Sequence, residues 1–113
     1  MHEYSIVQAL LDRVEAEARA RGATSIRRVQ VAIGELAGVE PDLLATAYDT
    51  FRAGSLCQDA GLTIRRTPAH WTCSRCRAPI APGAPLKCAA CGGTPRLESG
   101  DEILLERIEM EVA

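Results

Sequence analysis

The chain has 113 residues, 25% of them charged, and a formal net charge of −2, the scale of one modest domain or of one small core with an appendage. So near-neutral a balance excludes a global field that would by itself draw the protein to nucleic acid or to an anionic membrane. No apolar run approaches the roughly 20 residues needed to span a bilayer. Charged or ionisable residues (His2, Glu3, Asp12, Arg13, Glu15) stand where a signal peptide would carry its apolar stretch, so a cytoplasmic protein with no membrane partner is expected.

From Ser5 onward Ile6, Val7, Leu10, Leu11, Val14 and Ala18 recur at helical spacing, Arg19 and Arg21 fall in the last turn, and Gly22 supplies a stop. Ser5 with Gln8 would form a capping box, while Glu3 near the positive end of the helix dipole would suit an earlier start. In SIRRVQVAIG, Val29, Val31 and Ile33 alternate with Arg28, Gln30 and Ala32, the period of a half-buried strand. GELAGVEP holds turn residues. Pro41 and Asp42 then open a second helix, PDLLATAYDTFRAGS, with Leu43, Leu44, Ala47, Tyr48 and Phe51 on one face.

LTIRRT reads as a short strand that ends before Pro68. In the closing DEILLERIEMEV, Ile108, Met110 and Val112 alternate with Arg107, Glu109 and Glu111, again at period two. Helix, strand, helix, strand, insertion and strand predict an α+β fold, two helices packed on one face of a small, mostly antiparallel sheet.

Residues 70–96, HWTCSRCRAPIAPGAPLKCAACGGTPR, differ in kind, being rich in Pro, Gly and Cys and lacking either periodicity. Too poor in hydrophobes to make a core, they must be held by something else. Cys73 and Cys76 form one Cys-x-x-Cys pair and Cys88 and Cys91 a second, which leaves Cys57 as a small, partly buried apolar residue. In a reducing compartment such pairs point to metal before disulfides. Four thiolates with no position open for substrate suit structural zinc, with tetrathiolate iron as the main competitor.

Arg75, Arg77, Lys87 and Arg96 lie in this segment without an acidic neighbour, yet Trp71 is its one aromatic surface. Nucleic acid, which asks for a basic groove with several aromatics, is therefore not expected. A solvated face or a docking patch for an acidic protein is the reading of those cations. A zinc adaptor for nucleic acid or protein stays as the alternative function for the whole chain.

The amino terminus, MHE, carries one of only two histidines. The Met1 amine, the His2 backbone nitrogen and the His2 imidazole together supply three corners of a square plane, a nitrogen set that favours Ni(II) or Cu(II) over zinc or magnesium. An open fourth corner suits a carrier that must release its metal. Against catalysis stand the absence of a Ser/His/Asp set, of HExxH and of a Gly-rich cofactor loop. Nothing in the chain opposes self-association.

Taken together, MHE, YSIVQALL, IGELAGVEPDLL, the paired Cys-x-x-Cys knuckles and SGDEILLERIEME resemble the HypA/HybF family of hydrogenase nickel-insertion proteins, over essentially the whole chain. The resemblance implies a nickel-binding α/β domain (residues 1–69 and 97–113) with a zinc-ribbon-like module (residues 70–96) inserted before the last strand. It implies nickel at Met1 and His2 with Glu3 beside or within the site, and structural zinc at Cys73, Cys76, Cys88 and Cys91. It further implies a metallochaperone, not an enzyme, that passes nickel as cargo to the [NiFe]-hydrogenase large-subunit precursor with a HypB-type GTPase; some members also serve urease. Some relatives carry extra histidines near the zinc loop, whereas this chain has His70 alone there. His70 is read as an outer neighbour of the thiolates or a solvent-facing residue, with the sharper alternative that it is the fourth nickel ligand or links the two metal sites.

Overall fold

The protein was analysed as a computed structural model that describes residues 2–113, His2 by its backbone alone. The elements are α1 (His2–Ala20), β1 (Ala23–Gly34), α2 (Pro41–Phe51), β2 (Gly61–Thr67), β3 (His70–Cys73), β4 (Pro79–Ile80), β5 (Pro95–Ser99) and β6 (Ile103–Val112). The first helix starts at His2 and not at Ser5, because Glu3 takes the place of the cap by putting a carboxylate in the positively polarised first turn. Beyond its last turn, Gly22 adopts φ 69°, the left-handed stop that a residue without a Cβ accepts most readily.

β1 is the middle strand of a three-stranded sheet ordered β2-β1-β6. β2 runs parallel to it, Val29 against Leu62 and Val31 against Ile64, because α2 carries the chain back across the sheet. β6 returns antiparallel, Val29 against Ile108 and Ile33 against Ile103. A second sheet, β4-β3-β5, is antiparallel throughout, so three of the four strand pairings in the molecule are antiparallel and the expected α+β class holds.

The core lies between the helices and one face of the first sheet, where Val7, Val14, Val29, Val31 and Leu44 have no exposed surface. Tyr4 meets Phe51 edge to face across the helix pair, with ring centroids 5.3 Å apart. Leu43, predicted on the buried face of α2, is half exposed: Leu44, Ala47 and Tyr48 fill that face, and one step along the helix turns Leu43 away. Val112 is likewise exposed, opposite the first residue of β1. Cys57 is more enclosed than expected, with no exposed surface. Burial pushes its thiol pKa up, so it behaves as the apolar residue the sequence suggested.

The other face of the sheet needs no cover because it is polar. Arg65 of β2 forks onto Glu106 of β6 across the middle strand, Gln30 joins it at 3.1 Å, and Arg28 donates to Thr63 at 2.7 Å. Arg65 and Gln30 together hold the Glu106 carboxyl well below its usual range, at about 2.

Two glycines fix how the second sheet leaves the first. A Cβ on Gly34 would run into the carbonyl of Gly100, and one on Gly100, at φ 110°, would lie 2.5 Å from the Ala69 Cα. Both segments linking the sheets therefore pass directly over the end of β1. Leu36 N donates to Gly100 O at 2.7 Å, Ala69 N to the Glu35 carboxylate at 3.1 Å, and Gly34 N to Glu102 O at 2.9 Å.

Candidate metal centre

The segment that lacked periodicity in the sequence builds its strands around two matching turns. In the first, Cys73 N donates to Ala78 O and Arg77 N to Cys73 O; in the second, Cys88 N donates to Gly93 O and Gly92 N to Cys88 O. Each turn is closed at the same place by a left-handed residue, Arg77 at φ 64° and Gly92 at φ 73°. The strands β3, β4 and β5 are short and share only a small, half-buried apolar patch of Trp71, Ile80 and Leu97, too brief to announce itself as a periodic run.

These turns bring all four predicted cysteines together, their sulfurs all within 4.8 Å of one another. Cys73 and Cys91 are 3.4 Å apart and Cys76 and Cys88 3.6 Å. A tetrahedron with metal–sulfur bonds of about 2.3 Å has sulfur–sulfur edges of about 3.8 Å, so the set fits a tetrathiolate ion with little movement. Four thiolates fill such an ion's coordination and leave no position for a substrate. Gly93 lies against the sulfurs: a Cβ there would be 2.7 Å from Cys73 Sγ and 3.2 Å from Cys91 Sγ.

The backbone also prepares the ligands electrically. Cys76 N and Arg75 N both point at Cys73 Sγ, each at 3.4 Å, and these donors hold the Cys73 thiol down at about 6. Backbone N–H groups of Cys91 and Ala90 lower Cys88 in the same way. Cys91 is pushed up to about 11, because its thiol donates to Cys73 and is stabilised in the protonated form. The cluster thus holds a thiolate ready before any metal arrives.

Of the amino-terminal residues, Met1 lies outside the described residues, as does the His2 side chain. The His2 backbone is the first position of α1. The Glu3 side chain is 7% exposed, and its carboxylate accepts the backbone N–H of Glu40 at 3.4 Å. Glu40 directly precedes α2, so Glu3 ties the start of the first helix to the start of the second. His70 opens β3 opposite Ser99, is exposed, and lies three strand residues, roughly 10 Å, from Cys73. It is not part of the thiol cluster.

Sequence reasoning missed the parts that hold the site up: Glu35, Gly93, Gly100, and the Glu40 N–H bound by Glu3. Gly93 was signalled by the double glycine after Cys91. Glu35 carried no signal, since its role depends on Ala69, a neighbour distant in the chain.

A two-helix α+β domain joined to a four-thiol cluster that could hold a metal ion defines a metal-binding protein. The family model described as "Hydrogenase/urease nickel incorporation, metallochaperone, hypA" matches residues 1–110, and the chain belongs to this HypA family. It is 39% identical to the hydrogenase maturation factor HypA of Shewanella oneidensis, covering 100% of this chain and 98% of that one. To the factor of the same name from Wolinella succinogenes it is 40% identical, covering 98% and 96%. The fold agrees with the solution structure of the Ni metallochaperone HypA from Helicobacter pylori, with a TM-score of 0.76 at 33% identity over 98% of both chains. A second solution structure, of a HypA protein, gives a TM-score of 0.82 at 33% identity over 100% of this chain and 98% of that one. The protein is a non-enzymatic nickel-incorporation metallochaperone of hydrogenase maturation. No helix among the described residues is long and apolar enough to cross a membrane.

Proposed function

We propose that the protein takes up Ni(II) through the Met1 amine, the His2 backbone nitrogen and the His2 imidazole, and releases it to the [NiFe]-hydrogenase large-subunit precursor. A HypB-type GTPase supplies the nucleotide step, in the cytoplasm. The observation that carries this reading is the anchoring of Glu3. A bare helix N-terminus repels a cation, since its free N–H groups carry positive partial charge. The buried Glu3 carboxylate offsets that field one residue from His2 while its bond to Glu40 keeps the chain start in place. As the first helical residue, His2 has a backbone N–H with no partner inside the helix, so metal ligation there costs no helical hydrogen bond.

In the same reading Cys73, Cys76, Cys88 and Cys91 hold a structural zinc ion, whose one contribution when bound is to cross-link the two knuckles. Residues 70–96 form the zinc module, and residues 1–69 with 97–113 the nickel domain. His70, exposed and opposite Ser99, fits the solvent-facing reading, with the fourth nickel ligand as the alternative that its substitution tests.

The test is a calorimetric Ni(II) titration of zinc-loaded protein with its authentic Met1 amine, beside His2→Ala and a form with one extra N-terminal residue. Nickel binding should weaken in both while zinc stays bound. Equal binding by all three would move nickel away from the terminus, and an unchanged titration in His70→Ala would remove His70 from the site.

A further inference from the structure

Charge is divided unevenly along this chain. Residues 70–99 hold four cations against Glu98 alone, a balance of +3, which leaves −5 for the rest. Pairing is divided the same way. In the rest of the chain, seven of nine arginines are within 4 Å of a carboxylate: Arg13, Arg19, Arg21, Arg27, Arg28, Arg52 and Arg65. In residues 70–99 only Arg96 is, with Glu98. Arg75, Arg77 and Lys87 are exposed and, among the described residues, have no ion pair.

Two of the three, Arg75 and Lys87, stand beside adjacent glycines. The Arg75 Cβ and the Lys87 Cε stand over the adjacent Gly93 and Gly92, 3.3 and 3.7 Å from where a Cβ on each would be. The two cations thus stand beside the second knuckle, where Gly92 is exposed and Gly93 is buried against the thiols. Beside Lys87 is a concavity of about 470 Å³ lined by Ala84, Pro85, Lys87, Cys88, Ala89 and Gly92, and Leu86 next to it is 54% exposed. Exposed cations without an ion pair, adjoining an apolar bowl of small residues, complement a peptide that carries both carboxylates and an aliphatic side chain.

We propose that the face of the Cys module around Arg75, Lys87 and the adjoining bowl is a docking surface for an acidic segment of the recipient protein. Its carboxylates pair with Arg75 and Lys87, and an aliphatic side chain enters the bowl beside Lys87. The proposal rests on the carrier reading, which requires a recipient. Nucleic acid is disfavoured: Trp71, the one aromatic of the module, is half-buried in β3 between Ile80 and Leu97, and the acidic remainder of the chain repels a polyphosphate.

The probe is a short fluorescein-labelled peptide of alternating Glu and Leu, titrated into the metal-loaded full chain beside an oligothymidylate of equal charge. Arg75→Gln with Lys87→Gln should weaken peptide binding by about tenfold. Raising salt from about 50 to about 300 mM should weaken it in the parent more than in this variant. The charge-preserving pair Arg75→Lys with Lys87→Arg should retain binding, and Arg27→Gln, far away on β1, should leave it unchanged. Undiminished binding in the Gln variant, no saturable binding in the parent, or tighter binding of the oligothymidylate would each overturn the proposal. The same Gln variant should titrate with Ni(II) as the parent does, so failure of nickel uptake is read separately from failure of docking.

Discussion

In the domain built on α1, α2 and β2-β1-β6, the chain is held by enclosed side chains such as Val7, Val14, Val31, Leu44 and Tyr48; in residues 70–99 the buried residues are Cys73, Cys88 and Gly93. The first region follows from hydrophobic periodicity and would fold on its own terms. The second buries nothing large, and its two knuckles are brought face to face by groups that repel one another once ionised. Its stability has to come from a bound ion, which in small modules of this kind contributes about 10–16 kcal/mol of apparent free energy at neutral pH. One chain thus contains a core packed from enclosed side chains and a module of small packing whose four thiols could hold a metal ion.

The largest test of this contrast is Cys91→Ser. Cys91 is exposed, so the substitution leaves the hydrophobic core intact while removing one of four thiolates. Amide protection in β3, β4 and β5 should collapse toward that of a chelator-treated sample, and protection in α1, β1 and β6 should persist. Unfolding of both regions in one transition would show that they form a single cooperative unit and end the contrast. Metal uptake by the parent at about pH 7.5 should also release fewer protons than four ordinary thiols would, since Cys73, held at about 6, is already a thiolate there.

Gly34→Ala tests the join. Its new methyl group would strike the Gly100 carbonyl and come within 2.8 Å of Asp101 N, backbone atoms that cannot move without shifting the segment between the sheets. Overpacking of this sort costs about 1–3 kcal/mol. That corresponds to a fall of several degrees in the melting midpoint of the α1–α2 domain. Metal affinity of the thiols should stay unchanged, because no knuckle residue is touched. A loss of metal affinity with an unchanged melting point would mean that the join supports the module and not the domain.

Legibility in the sequence followed the same division. The helices, β1, β2 and β6 were visible because a buried face imposes a period, and the cysteine quartet was visible because a tetrahedral ion demands two close pairs. The strands β3, β4 and β5 were not, since each is short and contributes one residue, Trp71, Ile80 or Leu97, to a small half-buried patch. Leu43 was misplaced because apolar character alone does not tell which of two adjacent leucines, Leu43 or Leu44, faces inward. IGELAGVEPDLL and SGDEILLERIEME were noticed as separate stretches, yet they meet at Gly34 and Gly100. A contact between glycines distant in the chain leaves no trace in either local pattern.

The smallest effect is expected at Arg77, where the two knuckles differ. At φ 64° Arg77 occupies the position that Gly92 fills in the other turn, and a side chain in the left-handed region costs about 1–2 kcal/mol. Replacing it by glycine relieves that strain but adds freedom to the unfolded chain, a loss of about 0.5–1 kcal/mol. The first equals or exceeds the second, so Arg77→Gly should leave the metal-loaded module as stable as the parent or more stable by up to about 1.5 kcal/mol, measured as resistance of the metal to a competing chelator. The same substitution lowers the positive charge of the module by one and should weaken binding of the Glu/Leu peptide slightly. Weaker peptide binding together with firmer metal retention would show that Arg77 is strained in its turn and useful on the surface. A module loosened by glycine would mean that the Arg77 side chain itself braces the first knuckle, and the likeness of the two turns would then stop at their backbone.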